Sequence, residues 1–168
     1  RPLIGVLTDH VHTPRAIAKR MMEYHLDKDY TMRVAEHLGN PKKEKIYNIY
    51  SIEEISEMSF SSPNCVLLMK VPNSTQQRPA LGIPDTKFVL LNDRAKMITK
   101  APIRVIDLSL LELHNSRTFW DIGACTGSVS IEARHQYPHL NIQAFEVREE
   151  CKDIIRANAR LHSAPGID

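Results

Sequence analysis

The sequence predicts a mixed α/β protein with two units, and three observations support this prediction. Residues 3–71 alternate short apolar strands with capped helices, and residues 72–80 are polar and rich in residues that break helices. Residues 81–168 then contain a strand, a glycine turn, a helix and a second strand that ends in an acidic residue. This last order is typical of the nucleoside-binding half of a Rossmann-like sheet.

The first unit, residues 1–71, is predicted to follow the order β-α-β-β-α-β. Thr13 followed by Pro14 marks a helix start, because a threonine side chain caps a helix and proline suits its first position. Ser51, with Glu54 three residues later, predicts a capping box for the second helix. Short apolar or alternating runs predict four strands, at residues 3–8, 31–36, 44–50 and 64–71.

The segment at residues 72–80 is predicted to link two domains, since it holds two prolines and no apolar period. The second unit, residues 81–168, opens with the run G-I-P-D at residues 82–85. Apolar side chains recur over residues 102–113 and predict a helix there. We expect this helix to pack beside the strand that follows it.

The second unit is organised around residues 118–133, where an apolar strand ends, a turn follows and a helix begins. Gly123 and Gly127 suit a turn whose backbone takes unusual dihedral angles and lies close to a ligand. The first amides of the helix should then face a polar or anionic group of that ligand. Residues 141–145 predict a second strand. Glu146 at its end lies about 20 residues beyond the turn, where an acidic side chain commonly binds ribose hydroxyls.

Two nucleoside cofactors compete for this pattern. A dinucleotide site usually has the sequence G-x-G-x-x-G, but here Cys125 replaces the middle glycine and the last glycine is absent. The spacing from Asp121 to Gly123 and Gly127 instead resembles motif I of the S-adenosylmethionine-dependent methyltransferases. In those enzymes the turn lies against the methionine part of the cofactor, and the acid after the second strand holds the ribose.

The composition is ordinary for a globular protein. The chain has 22 basic and 20 acidic residues, and its basic residues are dispersed, which argues against nucleic acid as a partner. No apolar run is long enough to predict a membrane span. The three cysteines form no C-x-x-C pair, which argues for free thiols in the cytoplasm and against a structural zinc or disulfide framework, and no metal ligand is assigned.

Longer stretches of the chain carry a more specific resemblance. The second unit contains L-G-I-P-D at residues 81–85, M-I-T-K at residues 97–100 and W-D-I-G-A-C-T-G-S-V-S-I-E-A at residues 120–133. The first unit contributes shorter pieces, at residues 6–9, 13–14 and 36–39. Together these stretches resemble the precorrin-6Y C5,15-methyltransferases (decarboxylating) of the cobalamin pathway, in their fused two-domain form.

The resemblance implies that residues 1–71 are the C-terminal subdomain of a tetrapyrrole methylase. It implies that residues 81–168 are the first part of a Rossmann-like methyltransferase domain. The implied reaction transfers methyl groups from S-adenosylmethionine to C5 and C15 of precorrin-6Y, a small tetrapyrrole, or of its cobalt analogue, with decarboxylation of an acetate side chain. No catalytic residue is assigned, and the residues expected to bind the cofactor are Thr99, Asp121, Gly123, Cys125, Gly127 and Glu146.

Two other functions stay open on the sequence. The chain could belong to a nicotinamide-dependent oxidoreductase, or it could be a non-catalytic α/β module that binds a partner protein. Individual residues also have simpler interpretations. Glu132 and Arg134 on the motif helix are expected to face solvent, and Glu146 could serve only as a carboxylate near a helix N-terminus.

Each predicted domain covers only part of a family domain. A sheet with two strands should leave apolar surface open, and we expect this open face along Phe119, Ile122, Ile142 and Phe145. We therefore expect the chain to form a homo-oligomer. By itself, it is expected to lack methyltransferase turnover and to bind S-adenosylmethionine weakly or not at all.

Overall fold

The computed structural model describes residues 3–48, 51–72 and 81–168. The chain divides into two compact units, Arg1–Gln76 and Gln77–Asp168, and the predicted mixed α/β architecture is confirmed. Residues 73–80 of the predicted linker and the last two residues of the predicted third strand lie outside the described residues. Within the described ranges, no helix is both long and apolar enough to cross a membrane.

The first unit has the predicted order of strands and helices. Its helices begin at the predicted caps: the Thr13 side chain accepts a hydrogen bond from the Ala16 amide, and Ser51 and Glu54 form a capping box. The elements are β1 (Leu3–Leu7), α1 (Pro14–Glu23), β2 (Tyr30–Glu36), β3 (Lys45–Tyr47), α2 (Ile52–Glu57) and β4 (Asn64–Lys70).

The four strands of this unit form one antiparallel sheet in the order β1-β4-β2-β3. Both helices pack on one face of the sheet. The buried core between them consists of Ala18, Met21, Met32, Val34, Ile52, Ile55, Val66 and Leu68.

The second unit contains the predicted strand, turn, helix and second strand, and it adds a long final helix. Its elements are α3 (Ala101–Leu110), β5 (Thr118–Ile122), α4 (Ser128–Gln136), β6 (Asn141–Phe145) and α5 (Glu149–Leu161). Helix α3 ends earlier than predicted, and the chain turns at Glu112, whose φ is 46°. Short 3₁₀ turns precede and follow α3.

Strands β5 and β6 are parallel, with Trp120 beside Gln143 and Ile122 beside Phe145. On the other edge of β6, Ile142 forms a parallel bridge to Ile167. Helices α3 and α4 cover one face of the sheet, where the buried residues are Leu108, Leu113, Ala133, Leu140 and Ile142.

The face of β5 and β6 that the helices leave open differs from the predicted one. Ile142 is fully buried and Phe119 packs beside it, so both belong to the covered face. The exposed apolar side chains are instead Trp120, Ile122 and Phe145, with exposed fractions of 61%, 78% and 46%. Side chains alternate along a strand, so Trp120 and Ile122 point away from Phe119.

The prediction that Glu132 faces solvent is wrong. Its side chain is 1% exposed, and it accepts hydrogen bonds from Arg104 Nε at 2.7 Å and from the amides of Gly82 and Ile83 at 2.8 and 3.1 Å. Arg104 is fully buried and also donates to Asp85 at 2.8 Å. The buried pair of Arg104 on α3 and Glu132 on α4 thus binds the segment at residues 82–85 through hydrogen bonds.

The prediction that Arg134 faces solvent is only partly correct. It is partly buried, and its guanidinium donates to the carbonyl oxygens of Leu140 and Gly166. It therefore ties helix α4 to the start of β6 and to the last residues of the chain.

Candidate cofactor site

The turn between β5 and α4 is held against the C-terminal end of β6. The amides of Gly123 and Ala124 both donate to the carbonyl oxygen of Phe145, at 2.8 and 3.1 Å. Gly123, Cys125 and Gly127 have positive φ angles of 82°, 47° and 72°. Glycine adopts this left-handed conformation without steric cost, whereas a cysteine in it is strained. The surrounding contacts therefore hold the backbone of Cys125 in this conformation.

The two glycines of the turn have different surroundings. A Cβ atom added to Gly123 would meet nothing within 4 Å, so its surface is open to a ligand. A Cβ atom added to Gly127 would lie 3.1 Å from Cγ2 of Ile155 on helix α5. Gly127 therefore allows α5 to pack closely against the start of α4, a role that the sequence alone does not indicate.

Asp121, at the end of β5, caps helix α4. Its Oδ2 accepts hydrogen bonds from the Ser130 amide at 3.2 Å and from the Ser130 hydroxyl at 2.7 Å. The Ser130 amide, in the first turn of α4, is thus bound by the chain's own carboxylate and does not face a ligand as the sequence predicts. Burial raises the pKa of Asp121, and the nearby negative charge of Glu146 raises it further.

Glu146 lies where the sequence predicts it, directly after β6, and its carboxylate is fixed by five hydrogen bonds. Oε2 accepts from the Cys125 amide at 3.0 Å and from Arg148 Nη2 at 2.8 Å. Oε1 accepts from the amides of Val147 and Arg148 and from Arg148 Nε at 3.0 Å. These bonds, led by those from the Arg148 side chain, lower the pKa of Glu146 to about 2.

Arg148 is a site residue that no sequence motif indicates. Its guanidinium donates one hydrogen bond to each oxygen of the Glu146 carboxylate. The Arg148 side chain is 38% exposed, so it can leave the carboxylate for solvent without unfolding its neighbours. A ligand that binds Glu146 through hydroxyl groups must therefore displace these guanidinium donors.

Thr99 is the predicted site residue with the weakest structural support. It is exposed and lies just before helix α3, and its carbonyl oxygen accepts a hydrogen bond from Arg104. Met97, two residues earlier, does reach the turn, because its carbonyl oxygen accepts a hydrogen bond from Cys125 Sγ at 3.1 Å. Of the six predicted residues, the structure brings Asp121, Gly123, Cys125, Gly127 and Glu146 together at one end of the sheet.

The fold also brings together three side chains that the sequence spacing did not connect. Ligand atoms of Cys125, Glu146 and Cys151 all lie within 4.8 Å of one another. Cys151 is on the first turn of α5, and it packs with Cys125 and Leu91 in a small apolar cluster. The two cysteines are far apart in sequence, so no short motif could have indicated this pair.

Comparison with known proteins connects the second unit with one enzyme class. Residues 91–168 match the family described as precorrin methyltransferase domain. A cobalt-precorrin-6B C(15)-methyltransferase (decarboxylating) of Salmonella typhimurium is 39% identical over 71 residues, which cover 42% of this chain and 37% of the relative. The match to a precorrin-6Y C(5,15)-methyltransferase [decarboxylating] of Mycobacterium tuberculosis is 26% identical but covers 92% of this chain and 37% of that protein.

The solved structures include a precorrin-6y C5,15-methyltransferase of Geobacter metallireducens GS-15, which is 36% identical to this chain. The two structures align over 54% of this chain and 46% of that one, with a TM-score of 0.48. The chain spans 37% of the length of the curated relatives described above. The predicted similarity to the precorrin-6 decarboxylating methyltransferases is confirmed by the family match and by these relatives, whereas the fused two-domain form stays a prediction. This similarity favours a methyltransferase over an oxidoreductase or a non-catalytic module.

Proposed function

We propose that this chain is part of an S-adenosylmethionine-dependent methyltransferase that acts on a precorrin-6-type tetrapyrrole in cobalamin synthesis. By analogy with the names of its relatives, the whole protein would methylate C5 and C15 and decarboxylate an acetate side chain. The position of Glu146 is the observation that supports the binding of S-adenosylmethionine at this site. Its carboxylate is fixed at the end of β6 and accepts a hydrogen bond from the backbone of the glycine turn.

Each residue of the site has a proposed role in holding the cofactor. Glu146 accepts hydrogen bonds from the ribose hydroxyls after Arg148 has moved aside. The open surface at Gly123 allows the methionine part to lie against the turn, and Asp121 keeps the turn and helix α4 in register. Cys125 contributes its backbone, and Thr99 lies at the edge of the site. When bound, S-adenosylmethionine supplies a methyl group that its sulfonium sulfur has already activated, so the protein mainly has to align it.

Calorimetric titration of the chain with S-adenosylmethionine, and separately with NAD, tests the proposal. We expect S-adenosylmethionine to bind, weakly, and NAD to bind less tightly still. Glu146→Ala should weaken S-adenosylmethionine binding about tenfold, because hydrogen bonds to charged groups contribute roughly 1.5–3 kcal/mol. Preferential binding of NAD would instead support the oxidoreductase.

The matched control for this experiment is Glu149→Ala. Glu149 is another acidic residue three positions further on, but its side chain is 81% exposed and forms only a surface ion pair with Lys152. Its removal should leave the cofactor affinity unchanged. If Glu146→Ala remains folded, by circular dichroism, and binds S-adenosylmethionine as tightly as wild type, Glu146 has no part in the site.

We also propose that the partner of this site is a small molecule and not a nucleic acid or a membrane, and that the protein works in the cytoplasm. The dispersed charges and the three free cysteines support this view. The chain is proposed to self-associate through the open face of β5 and β6, where Trp120, Ile122 and Phe145 are exposed. Sedimentation of wild type against Ile122→Lys tests this proposal, because the charged variant should be a monomer.

A further inference from the structure

Three side chains with metal-binding chemistry meet behind the glycine turn. Cys125 is 8% exposed, Cys151 is fully buried, and the Glu146 side chain is 6% exposed. Each comes from a different part of the second unit: the turn, the end of β6 and the first turn of α5. Their ligand atoms lie within 4.8 Å of one another. The backbone therefore fixes two thiols and one carboxylate around one point.

We propose that Cys125, Glu146 and Cys151 form a site for a thiophilic divalent cation such as Zn²⁺, and that this cation and the nucleoside cofactor exclude each other. Two thiolates and a carboxylate are a ligand set that Zn²⁺ accepts, and three protein ligands leave one tetrahedral position open. Ligand atoms around Zn²⁺ lie roughly 3.5–3.8 Å apart, given bond lengths of about 2.0–2.3 Å. The ligand atoms of the present cluster, which lie within 4.8 Å of one another, must therefore move closer together to surround an ion.

The local charges support a divalent ion. Binding replaces two thiol protons, so that one M²⁺ and two S–H groups give two metal–sulfur bonds and two released protons. The ion and the Arg148 guanidinium then contribute three positive charges, and two thiolates and Glu146 contribute three negative ones. The charges of these five groups therefore balance, which lowers the cost of burying them.

The exclusion of the cofactor follows from the use of the same carboxylate, and this part of the inference depends on the proposed function. Oε2 of Glu146 already accepts two hydrogen bonds and Oε1 accepts three, so an oxygen that also coordinates the metal leaves few acceptor positions for ribose hydroxyls. Cys125 adds a second link, because its thiol would bind the metal while its backbone forms the turn against which the cofactor lies. Metal binding would therefore turn off cofactor binding without altering the rest of the fold.

Titration of the 168-residue chain with Zn²⁺, and with Co²⁺ as a spectroscopic probe, tests the metal site. We expect one ion per chain, release of two protons, and a thiolate-to-cobalt charge-transfer band. Cys151→Ser and Cys151→Ala should each weaken binding at least tenfold and reduce this band, because only the Cys125 thiolate remains. Two variants are used because alanine preserves the apolar packing at position 151 if serine disturbs it. Cys65→Ser is the matched control, because Cys65 lies on β4 of the first unit, and it should bind as wild type.

Two results would overturn the metal site: the same affinity in wild type and a folded Cys151 variant, or cobalt binding without a thiolate band, which would indicate histidine sites.

Competition is measured separately, by titrating S-adenosylmethionine with and without saturating Zn²⁺. We expect Zn²⁺ to weaken cofactor binding at least tenfold in wild type and not in Cys151→Ala. Simultaneous binding would refute the exclusion. If the cofactor fails to bind even without metal, the proposed function fails while the zinc titration still decides the metal site.

Discussion

Glu132→Ala is expected to destabilise the second unit severely. Glu132 is 1% exposed and accepts three hydrogen bonds, one from Arg104 and two from the amides of Gly82 and Ile83. Its removal leaves the buried guanidinium of Arg104 with Asp85 as its remaining carboxylate, and two amides without an acceptor. Removing one partner of a buried ion pair typically costs about 3–5 kcal/mol, a large part of the 5–15 kcal/mol of a typical domain.

The measurement is a urea titration followed by the fluorescence of Trp120. Trp120 is the only tryptophan of the chain and lies on β5, so its signal reports on the second unit alone. Glu132→Gln keeps the size and one acceptor oxygen, so its loss should lie between wild type and the alanine variant. Glu149→Ala, an exposed acid in the same unit, should change the stability by less than about 0.5 kcal/mol. A loss below about 1 kcal/mol for Glu132→Ala would refute the assigned role of the buried pair.

Two further predictions concern the turn and its carboxylate. Gly127→Ala should lower the urea midpoint of unfolding more than Gly123→Ala. Both alanines would be strained at a positive φ, but only the Cβ at position 127 would contact Ile155, at 3.1 Å. Equal losses would contradict this packing. Arg148 lowers the pKa of Glu146 from 4.5 to about 2, so this carboxylate stabilises the fold above about pH 4.5 and loses its effect as the pH falls toward 2. Arg148→Ala should therefore reduce the difference in stability between pH 6 and pH 3, measured by the same titration, whereas an unchanged difference would disprove the linkage.

The local signals of the sequence were sufficient for most of the secondary structure. The caps at Thr13 and Ser51 are formed by residues three positions apart, so the sequence contains the whole interaction. The same holds for the strand, turn and helix around Gly123 and Gly127, because glycine and short apolar runs act on the neighbouring backbone. Such features depend little on the rest of the fold.

Glu132 shows why other features could not be predicted. Its partners lie 28 and 50 positions earlier in the chain, so the sequence near Glu132 contains no sign of them. Helix α4 also buries Ser128 and Ser130, and its polar residues therefore do not mark a solvent-facing side. The sequence predicts that a charged residue on a helix faces water, whereas in the fold Arg104 from helix α3 neutralises Glu132.

The open face of the second sheet shows a different limit. Strand β5 carries apolar side chains on both faces, Phe119 on one and Trp120 and Ile122 on the other. Alternation along such a strand cannot identify the covered face, because both faces have the composition of a core. The packing of α3 and α4 decides which side is buried. That packing depends on residues outside the strand, such as Leu108 and Ala133.

The hydrogen bonds of Glu146 account for the modest affinity change that we expect at this site. The carboxylate is desolvated, but Arg148 and three backbone amides already satisfy it without any ligand. Ribose hydroxyls would therefore replace the guanidinium donors of Arg148, and they would not supply hydrogen bonds to a carboxylate that lacks them. The net gain is the difference between two sets of charge-assisted hydrogen bonds, and it is smaller than the full strength of either set. A tenfold loss for Glu146→Ala is consistent with such an exchange, whereas a loss of a thousandfold or more would mean that Arg148 stays in place and also binds the cofactor.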